Sequence, residues 1–197
     1  MGAQLEFWFD FASTYSYLSA MRIEDEAARC GVSVSWHPFL LGPIFADQGW
    51  ATSPFNLYPA KGRYMWRDME RLCDERGLPL HRPEPFPQNS LKAARLALAV
   101  DAQTDRAAFC RAVFSAEFGE GHDISQDSVL TECLRKADLP AESLALAADP
   151  AIKAALFEQG ARAKALDLFG APSFVVESEV FWGDDRLDAA LSYASAL

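Results

Sequence analysis

The fold is decided by residues 7–17, which read Phe7-Trp8-Phe9-Asp10-Phe11-Ala12-Ser13-Thr14-Tyr15-Ser16-Tyr17. The apolar run at 4–9 predicts a buried strand, and the hydroxyl-rich residues that follow lead into a predicted helix at 14–30. A strand that turns directly into a helix presents the free N–H groups of the first helical turn, and the positive end of the helix dipole, at the turn. Ser13 lies at this turn, so its hydroxyl either caps the helix or faces an anion bound there.

A second strand is predicted at 32–36, where apolar and polar residues alternate after Gly31 ends the helix. The strand, helix and strand together predict a parallel βαβ unit with a right-handed crossover. Residues 37–43 contain prolines and a glycine and are predicted to form a loop.

The middle of the chain is helical in pattern. Helices are predicted at 60–76, 90–102, 104–118, 125–137, 141–148 and 149–168, with Ser90 and Ser125 beginning two of them. The proline-rich segment 77–87 is compatible with neither a helix nor a central strand. Strand patterns return at 173–176 and 179–182, joined as a hairpin, and Asp184 or Asp185 begins a last helix.

Strand patterns at both ends, with helices between them, predict one sheet assembled from both termini. The predicted class is α/β: a thioredoxin-like sheet with a large all-helical insertion between strand two and a cis-proline segment. Pro172 precedes a short strand, where the thioredoxin arrangement keeps a cis proline. The predicted domains are a discontinuous thioredoxin-like domain, 1–40 and 161–197, and an inserted helical domain, 41–160.

Composition limits the classes of partner. The net charge of −10, from 18 basic and 28 acidic residues, argues against a nucleic-acid partner. No stretch approaches the ~20 apolar residues of a membrane helix, and no secretory signal is visible, so we expect a cytoplasmic protein without a membrane partner. The four cysteines form no Cys-x-x-Cys pair and there are only three histidines, so we expect no metal site.

Three stretches carry a resemblance to a known family: residues 9–18, 169–174 (Phe169-Gly170-Ala171-Pro172-Ser173-Phe174) and 181–187. Together with the shorter stretches 41–45, 56–61 and 86–91, they resemble the 2-hydroxychromene-2-carboxylate isomerases and the related kappa-class glutathione transferases. The similarity covers essentially the whole chain in order. It implies a thioredoxin-like fold with an inserted helical domain, and a homodimer. This chain differs at Thr14, where the family commonly has proline.

The resemblance implies a glutathione-dependent cis–trans isomerase of aromatic-compound catabolism. Such an enzyme interconverts 2-hydroxychromene-2-carboxylate and trans-o-hydroxybenzylidenepyruvate by reversible addition of a thiolate to a conjugated enone. Ser13 would be the catalytic residue, because its hydroxyl would stabilise the thiolate of glutathione, the implied cofactor. Ser13 and Ser16 cannot exchange disulfides as a cysteine pair would. Two alternatives stay open: a kappa-class-like transferase acting on other electrophiles, and a non-catalytic module that binds a thiol or a peptide.

The resemblance also implies the binding residues. Glutathione would contact Ser13, Ala171, Pro172, Trp182, Gly183, Asp184 and Asp185, with a carboxylate of the last two pairing with the γ-glutamyl ammonium. The aromatic or electrophilic small-molecule substrate would contact Asn56, Lys61, Tyr64 and Phe86. The structural alternatives are a plain helix cap for Ser13 and for the aspartates, a solvated surface position for Lys61, and core packing for the aromatic residues.

Overall fold

The structure is a computed structural model that describes residues 3–197. Within this range four strands form one sheet in the order β2-β1-β3-β4. They are β1 (Gln4–Phe9), β2 (Ser33–Pro38), β3 (Ser173–Val176) and β4 (Glu179–Trp182). β1 pairs in parallel with β2 and antiparallel with β3, and β3 pairs antiparallel with β4. The sheet is therefore assembled from both ends of the chain, as predicted.

The aromatic run explains why β1 is central. Phe7, Trp8 and Phe9 are all fully buried, as a strand covered on both faces requires. The Phe7 ring meets the Trp36 ring of β2 edge to face at 4.9 Å and stacks on the Phe174 ring of β3 at 5.7 Å. These cross-strand aromatic pairs fix the register of the sheet.

The helix predicted at 14–30 is divided in two, α1 (Thr14–Ala20) and α2 (Ile23–Cys30). Gly31, at φ +66°, ends α2 as predicted. The break at Met21 and Arg22 has a tertiary cause, because the Arg22 guanidinium donates to the backbone carbonyl of Asp184 at 2.7 Å. A contact across 162 residues of sequence is invisible to a local pattern.

The segment between β2 and β3 is helical. It contains α3 (Leu41–Asp47), α4 (Pro54–Leu57), α5 (Pro59–Arg76), α6 (Leu91–Ala99), α7 (Gln103–Phe114), α8 (Asp127–Lys136) and α9 (Pro150–Ala165). A π-helical turn, Ser115–Gly119, continues α7, and a 3₁₀ segment, Ala141–Ala148, precedes α9. After β4 a 3₁₀ turn, Asp184–Arg186, leads into α10 (Leu187–Ser195). Among residues 3–197 no helix has both the length and the apolar composition needed to cross a membrane.

Three local predictions were wrong. The predicted loop at 37–43 contains the end of β2 and the start of α3, because Pro43 lies in the first helical turn, where no backbone N–H is needed. Ser90 makes no cap for α6, since its hydroxyl donates to a carboxylate elsewhere. α8 begins at Asp127 rather than at Ser125.

One continuous core joins the sheet to the helical segment. Phe114 of α7 packs against Phe9 and Phe11, with ring centroids 5.7 Å and 5.0 Å apart. A second, smaller cluster on the other face of β1 includes Trp8 and Phe39. The thioredoxin-like fold with a helical insertion is confirmed, whereas the domain boundaries at 40/41 and 160/161 stay predictions.

Candidate functional site

The turn after β1 places Ser13 at the N-cap of α1. Its backbone is extended, and its Oγ accepts a hydrogen bond from the Ser16 N–H at 3.2 Å. The same hydroxyl donates to the Ala171 carbonyl at 3.0 Å. Ser13 is therefore both a helix cap and a bridge to the far end of the chain.

The segment before β3 folds against this turn. The Ala171–Pro172 peptide is cis, as predicted, and the carbonyl of Pro172 accepts from the Gly183 N–H at 2.9 Å. Phe169 and Trp182 meet edge to face at 4.9 Å, and both are about half exposed. The indole of Trp182 lies against Gly170 so closely that a Cβ there would collide with it.

Asp10 connects the segments around the Ser13 turn by hydrogen bonds. Its buried carboxylate accepts from the Ala12 N–H at 3.1 Å, the Leu41 N–H at 2.8 Å and the Ser90 hydroxyl at 2.6 Å. Burial raises the pKa of Asp10, and the three hydrogen bonds act in the opposite direction. One side chain thus joins the Ser13 turn, the start of α3 and the segment before α6. This role was not predicted from the sequence, although an acid directly after a buried strand was a visible signal of it.

A cavity of about 810 Å³ opens above Ser13, within the ~300–1,000 Å³ typical of small-molecule sites. Six predicted site residues line it in two groups: Ser13, Ala171 and Trp182, on the sheet and its turns, form the first wall, and Lys61, Tyr64 and Phe86, on the helical segment between β2 and β3, form the second wall. Among the described residues that line the cavity, the charged ones are Lys61 and Asp10. Asp10 is 4% exposed, so Lys61 provides the accessible charge.

The other predicted site residues lie outside the lining. Asn56 donates to the Phe86 carbonyl at 3.2 Å and so supports the wall from behind. Pro172 is buried under the turn, and Gly183 holds Pro172 through its backbone. The Asp185 carboxylate lies beyond the Trp182 rim and is 73% exposed.

Asp184 differs sharply from its neighbour Asp185. Its carboxylate is 5% exposed and accepts from Arg76 at 2.7 Å and 3.2 Å and from the Ser19 hydroxyl at 2.9 Å. Arg22 adds a contact at 3.4 Å. Against the expectation that Asp184 contacts a ligand, this carboxylate is already occupied by protein partners, and the neighbouring Asp185 is the one open to solvent.

Several residues that line the cavity were not predicted from the sequence. The Tyr15 hydroxyl donates to Asp68 of α5 at 2.9 Å, and burial, followed by this hydrogen bond, raises the Tyr15 pKa. Phe45 of α3 and Trp50 pack together at 5.8 Å and line the cavity. Their aromatic character was the signal available in the sequence.

A second buried acid, Glu117, lies in the π-helical turn. It is fully buried, and neither carboxylate oxygen has a hydrogen-bond partner. Burial, together with the nearby charges of Asp10 and Asp123, raises the pKa of Glu117 well above its usual range. Burial thus favours the uncharged form of this carboxyl group.

Comparison with known proteins adds to this geometry. A family model described as a DSBA-like thioredoxin domain matches residues 4–194. A 2-hydroxychromene-2-carboxylate isomerase from Sphingobium xenophagum is 30% identical over 195 residues, which cover 98% of each chain. The chain belongs to this isomerase family of DSBA-like thioredoxin proteins.

Two further relatives of the family agree. Glutathione S-transferase kappa 1 from Homo sapiens is 26% identical, over 93% of this chain and 87% of its own length. A solved structure of a 2-hydroxychromene-2-carboxylate isomerase superposes with a TM-score of 0.89 at 25% identity, covering 98% of this chain and 95% of its own. The resemblance found from the sequence is confirmed, and these relatives support an enzyme.

The site lacks the chemistry of a disulfide enzyme. Cys30 is exposed and Cys73, Cys110 and Cys133 are buried, and none of the four lines the cavity. Ser13 occupies the turn beside the cis proline, and a hydroxyl cannot exchange disulfides. This chain thus carries a serine rather than a cysteine at the turn beside the cis proline.

Proposed function

We propose that this protein is a glutathione-dependent isomerase that interconverts 2-hydroxychromene-2-carboxylate and trans-o-hydroxybenzylidenepyruvate. The observation that carries the proposal is one cavity with the Ser13 hydroxyl on one wall and the Lys61 ammonium on the other. This arrangement suits a thiol bound beside Ser13 and an anionic aromatic substrate bound toward Lys61.

The residues of the first wall fit glutathione. Ala171 is half-buried, and its carbonyl is held by a single serine hydroxyl, so it can instead accept from an extended peptide laid along the segment. Gly170 leaves room for the Trp182 indole, which forms a flat side to the groove. The Asp185 carboxylate is 73% exposed and contacts only the neighbouring Arg186 among the described ion pairs, at 3.3 Å, so it could exchange this surface pair for the γ-glutamyl ammonium.

Glutathione, when bound, supplies a thiolate for reversible addition to the conjugated double bond. A free thiol has a pKa near ~8.5, so little of it is ionised at neutral pH. A hydrogen bond to an ionised acceptor is about twice as strong as a neutral one, so the Ser13 hydroxyl would turn from the Ala171 carbonyl to the sulfur. α1 has only seven residues, and we therefore assign thiolate stabilisation mainly to this hydroxyl rather than to the helix dipole.

The second wall fits a flat anion. The Lys61 ammonium lies 5.9 Å from the centre of the Phe55 ring, so its charge is held over an apolar surface. Tyr64 and Phe86 complete a wall against which an aromatic ring can pack. A carboxylate on such a ring would pair with Lys61 in a partly dry cavity.

A kappa-class-like glutathione transferase is the second candidate. The predominantly apolar lining of the cavity favours it, because such walls accept electrophiles of several shapes. A non-catalytic thiol-binding module is the third candidate. The homodimer and the cytoplasmic location implied by the resemblance stay predictions.

The deciding experiment mixes the purified protein with 2-hydroxychromene-2-carboxylate, with and without glutathione, and follows the absorbance of the equilibrating isomers. We expect rapid equilibration that requires glutathione. Equal rates without glutathione would contradict the proposed cofactor. Conjugation of 1-chloro-2,4-dinitrobenzene without isomerisation would favour the transferase, and glutathione binding without either reaction would favour the module.

A further inference from the structure

Helix α5 is fastened to α1 at two points. Near the cavity, the Tyr15 hydroxyl donates to Asp68 at 2.9 Å. At the far end, Arg76 of α5 and Ser19 of α1 share the Asp184 carboxylate. The second contact lies closer to the C-terminal end than the first on both helices: Ser19 follows Tyr15 on α1, and Arg76 follows Asp68 on α5. The two helices therefore run in the same direction.

The cavity-facing residues of α5 lie at its other end. Lys61, Tyr64 and Asp68 are separated by three and four residues and so share one face of the helix. At 1.5 Å per residue, Lys61 lies about 10 Å before Asp68, and Arg76 about 12 Å after it. The helix is therefore tied to α1 at its middle and at its C-terminal end, whereas the end that carries Lys61 and Tyr64 packs against α4, where Gly62 lies against the Phe55 backbone.

The contact at the far end, between Arg76 and Asp184, is a well-buried ion pair. The Arg76 and Asp184 side chains are 25% and 5% exposed, and two guanidinium nitrogens contact two carboxylate oxygens. A bidentate pair of this kind fixes orientation as well as distance. Without Arg76, Asp184 would keep Ser19 and Arg22, so its carboxylate would still be hydrogen-bonded.

We propose that Arg76 is a positioning residue for the acceptor substrate: anchored on Asp184, it fixes the axis of α5 and so places Lys61 and Tyr64 in the second wall of the cavity. This inference rests on the proposed function for the identity of the acceptor, but not for the geometry of the helix. The glutathione wall is built on the sheet and the Ser13 turn, and Asp184, which adjoins it in sequence, keeps Ser19 and Arg22 as partners when Arg76 is replaced. A shift of about 1 Å in a positioning group can change rates up to ~100-fold, so the effect should be measurable.

The test compares Arg76→Met with Arg67→Met. Arg67 also lies on α5, but it is 62% exposed and pairs only with Glu70 at 2.6 Å. At saturating glutathione we expect Arg76→Met to raise the KM for the chromene carboxylate about tenfold and Arg67→Met to leave it unchanged. Glutathione affinity, measured by calorimetry, should stay within twofold in both variants. Arg76→Lys, which keeps the charge but not the bidentate geometry, should be intermediate.

Asp68→Asn provides a second variant. It weakens the hydrogen bond between Tyr15 and Asp68 and leaves the contacts of Asp184 with Arg76 and Ser19 intact. We expect its acceptor KM to rise as well. A loss confined to kcat or thermal stability, with an unchanged acceptor KM in both variants, would assign these contacts to folding alone. A parallel loss of glutathione affinity would equally overturn the inference.

Hydrogen exchange separates failure of the inference from failure of the proposed function. If the wild-type protein shows no isomerisation, the proposed function has failed, but the helix can still be measured without any substrate. Amides at 61–64 should exchange faster in Arg76→Met than in Arg67→Met. Equal exchange rates at these amides in the two variants would contradict the proposal that Arg76 holds this end of α5 in place.

Discussion

The two walls of the cavity differ in how they are held. The Ser13 wall consists of a turn between β1 and α1 and of the segment before β3, and both are joined directly to paired strands. The second wall consists of side chains on α5 and on the segments around it, and α5 is held by apolar packing of Met65, Met69 and Cys73 and by side-chain contacts such as Tyr15 with Asp68. The first wall is rigid through its backbone, and the second depends on individual side chains.

This difference suggests a division of labour. A hydroxyl that must meet a sulfur atom gains from a rigid support, because catalysis depends on preorganised donors. A wall of replaceable side chains can change its acceptor without disturbing that donor. We therefore expect mutations in the first wall to affect turnover and mutations in the second to affect acceptor selection.

The largest effect should come from Ser13→Ala. Removing the hydroxyl takes away the donor to the thiolate, and loss of one such donor typically lowers kcat by about 100- to 1,000-fold. Loss of the N-cap should lower the free energy of unfolding by only about 1 kcal/mol. Stopped-flow isomerisation and urea unfolding measure the two effects.

Ser16→Ala is the matched control for Ser13. Ser16 lies on the same helix, is fully buried, and its hydroxyl has no hydrogen-bond partner within the described chain. Turnover should stay within about twofold of the wild type. If Ser13→Ala retained the activity of Ser16→Ala, the hydroxyl of Ser13 would have no role in the reaction.

Substitutions of the neighbouring acids Asp184 and Asp185 should have different effects, one on the free energy of unfolding and the other on glutathione affinity. Asp184→Ala leaves Arg76 and Arg22 without their shared partner, so we expect the free energy of unfolding to fall by about 3 kcal/mol. Asp185→Ala should change stability by less than about 0.5 kcal/mol but weaken glutathione binding about tenfold. Chemical denaturation and calorimetry distinguish the two. Unchanged glutathione affinity in Asp185→Ala would remove Asp185 from the proposed binding set.

Lys61→Met should raise the KM for a charged acceptor but not for a neutral one. The substitution keeps much of the apolar stem but removes the ammonium that faces the cavity. We expect the KM for the chromene carboxylate to rise about tenfold, equivalent to ~1.4 kcal/mol. The KM for uncharged 1-chloro-2,4-dinitrobenzene, where that reaction is detectable, should stay the same. Equal changes for both acceptors would mean that Lys61 does not recognise the carboxylate.

The smallest effect should come from Glu117→Gln. The folded-state pKa of Glu117 is raised by burial and by Asp10 and Asp123, so above the unfolded-state value the native protein holds a proton that the unfolded chain releases. The contribution of Glu117 to stability is therefore present at low pH and is lost as pH rises. Glu117→Gln removes this titration, so its stability relative to wild type should improve as the pH rises from 5 to 7, by at most about 1.4 kcal/mol per pH unit.

Urea unfolding at the two pH values measures this change. Glu158→Gln serves as the control, because Glu158 is the same residue type at an exposed position of α9. A difference between Glu117→Gln and wild type that is the same at both pH values would mean that Glu117 is ionised in the folded protein.

Much of the fold could be predicted because its signals are local. The aromatic run of β1, Gly31 after α2 and Pro172 before β3 each reflect a backbone requirement of a few adjacent residues. The break between α1 and α2 and the role of Ser90 could not be predicted. Each depends on a partner distant in sequence, Asp184 for Arg22 and Asp10 for Ser90.

The sequence by itself determined the family, the sheet built from both termini and the choice of Ser13, because ordered motifs and short-range patterns specify them. Only the tertiary structure separated Asp184 from Asp185. The two are chemically identical and adjacent, so no local pattern distinguishes them. What distinguishes them is burial, and it is created by Arg76, which lies 108 residues away in sequence and is brought to Asp184 by the packing of α5 on α1.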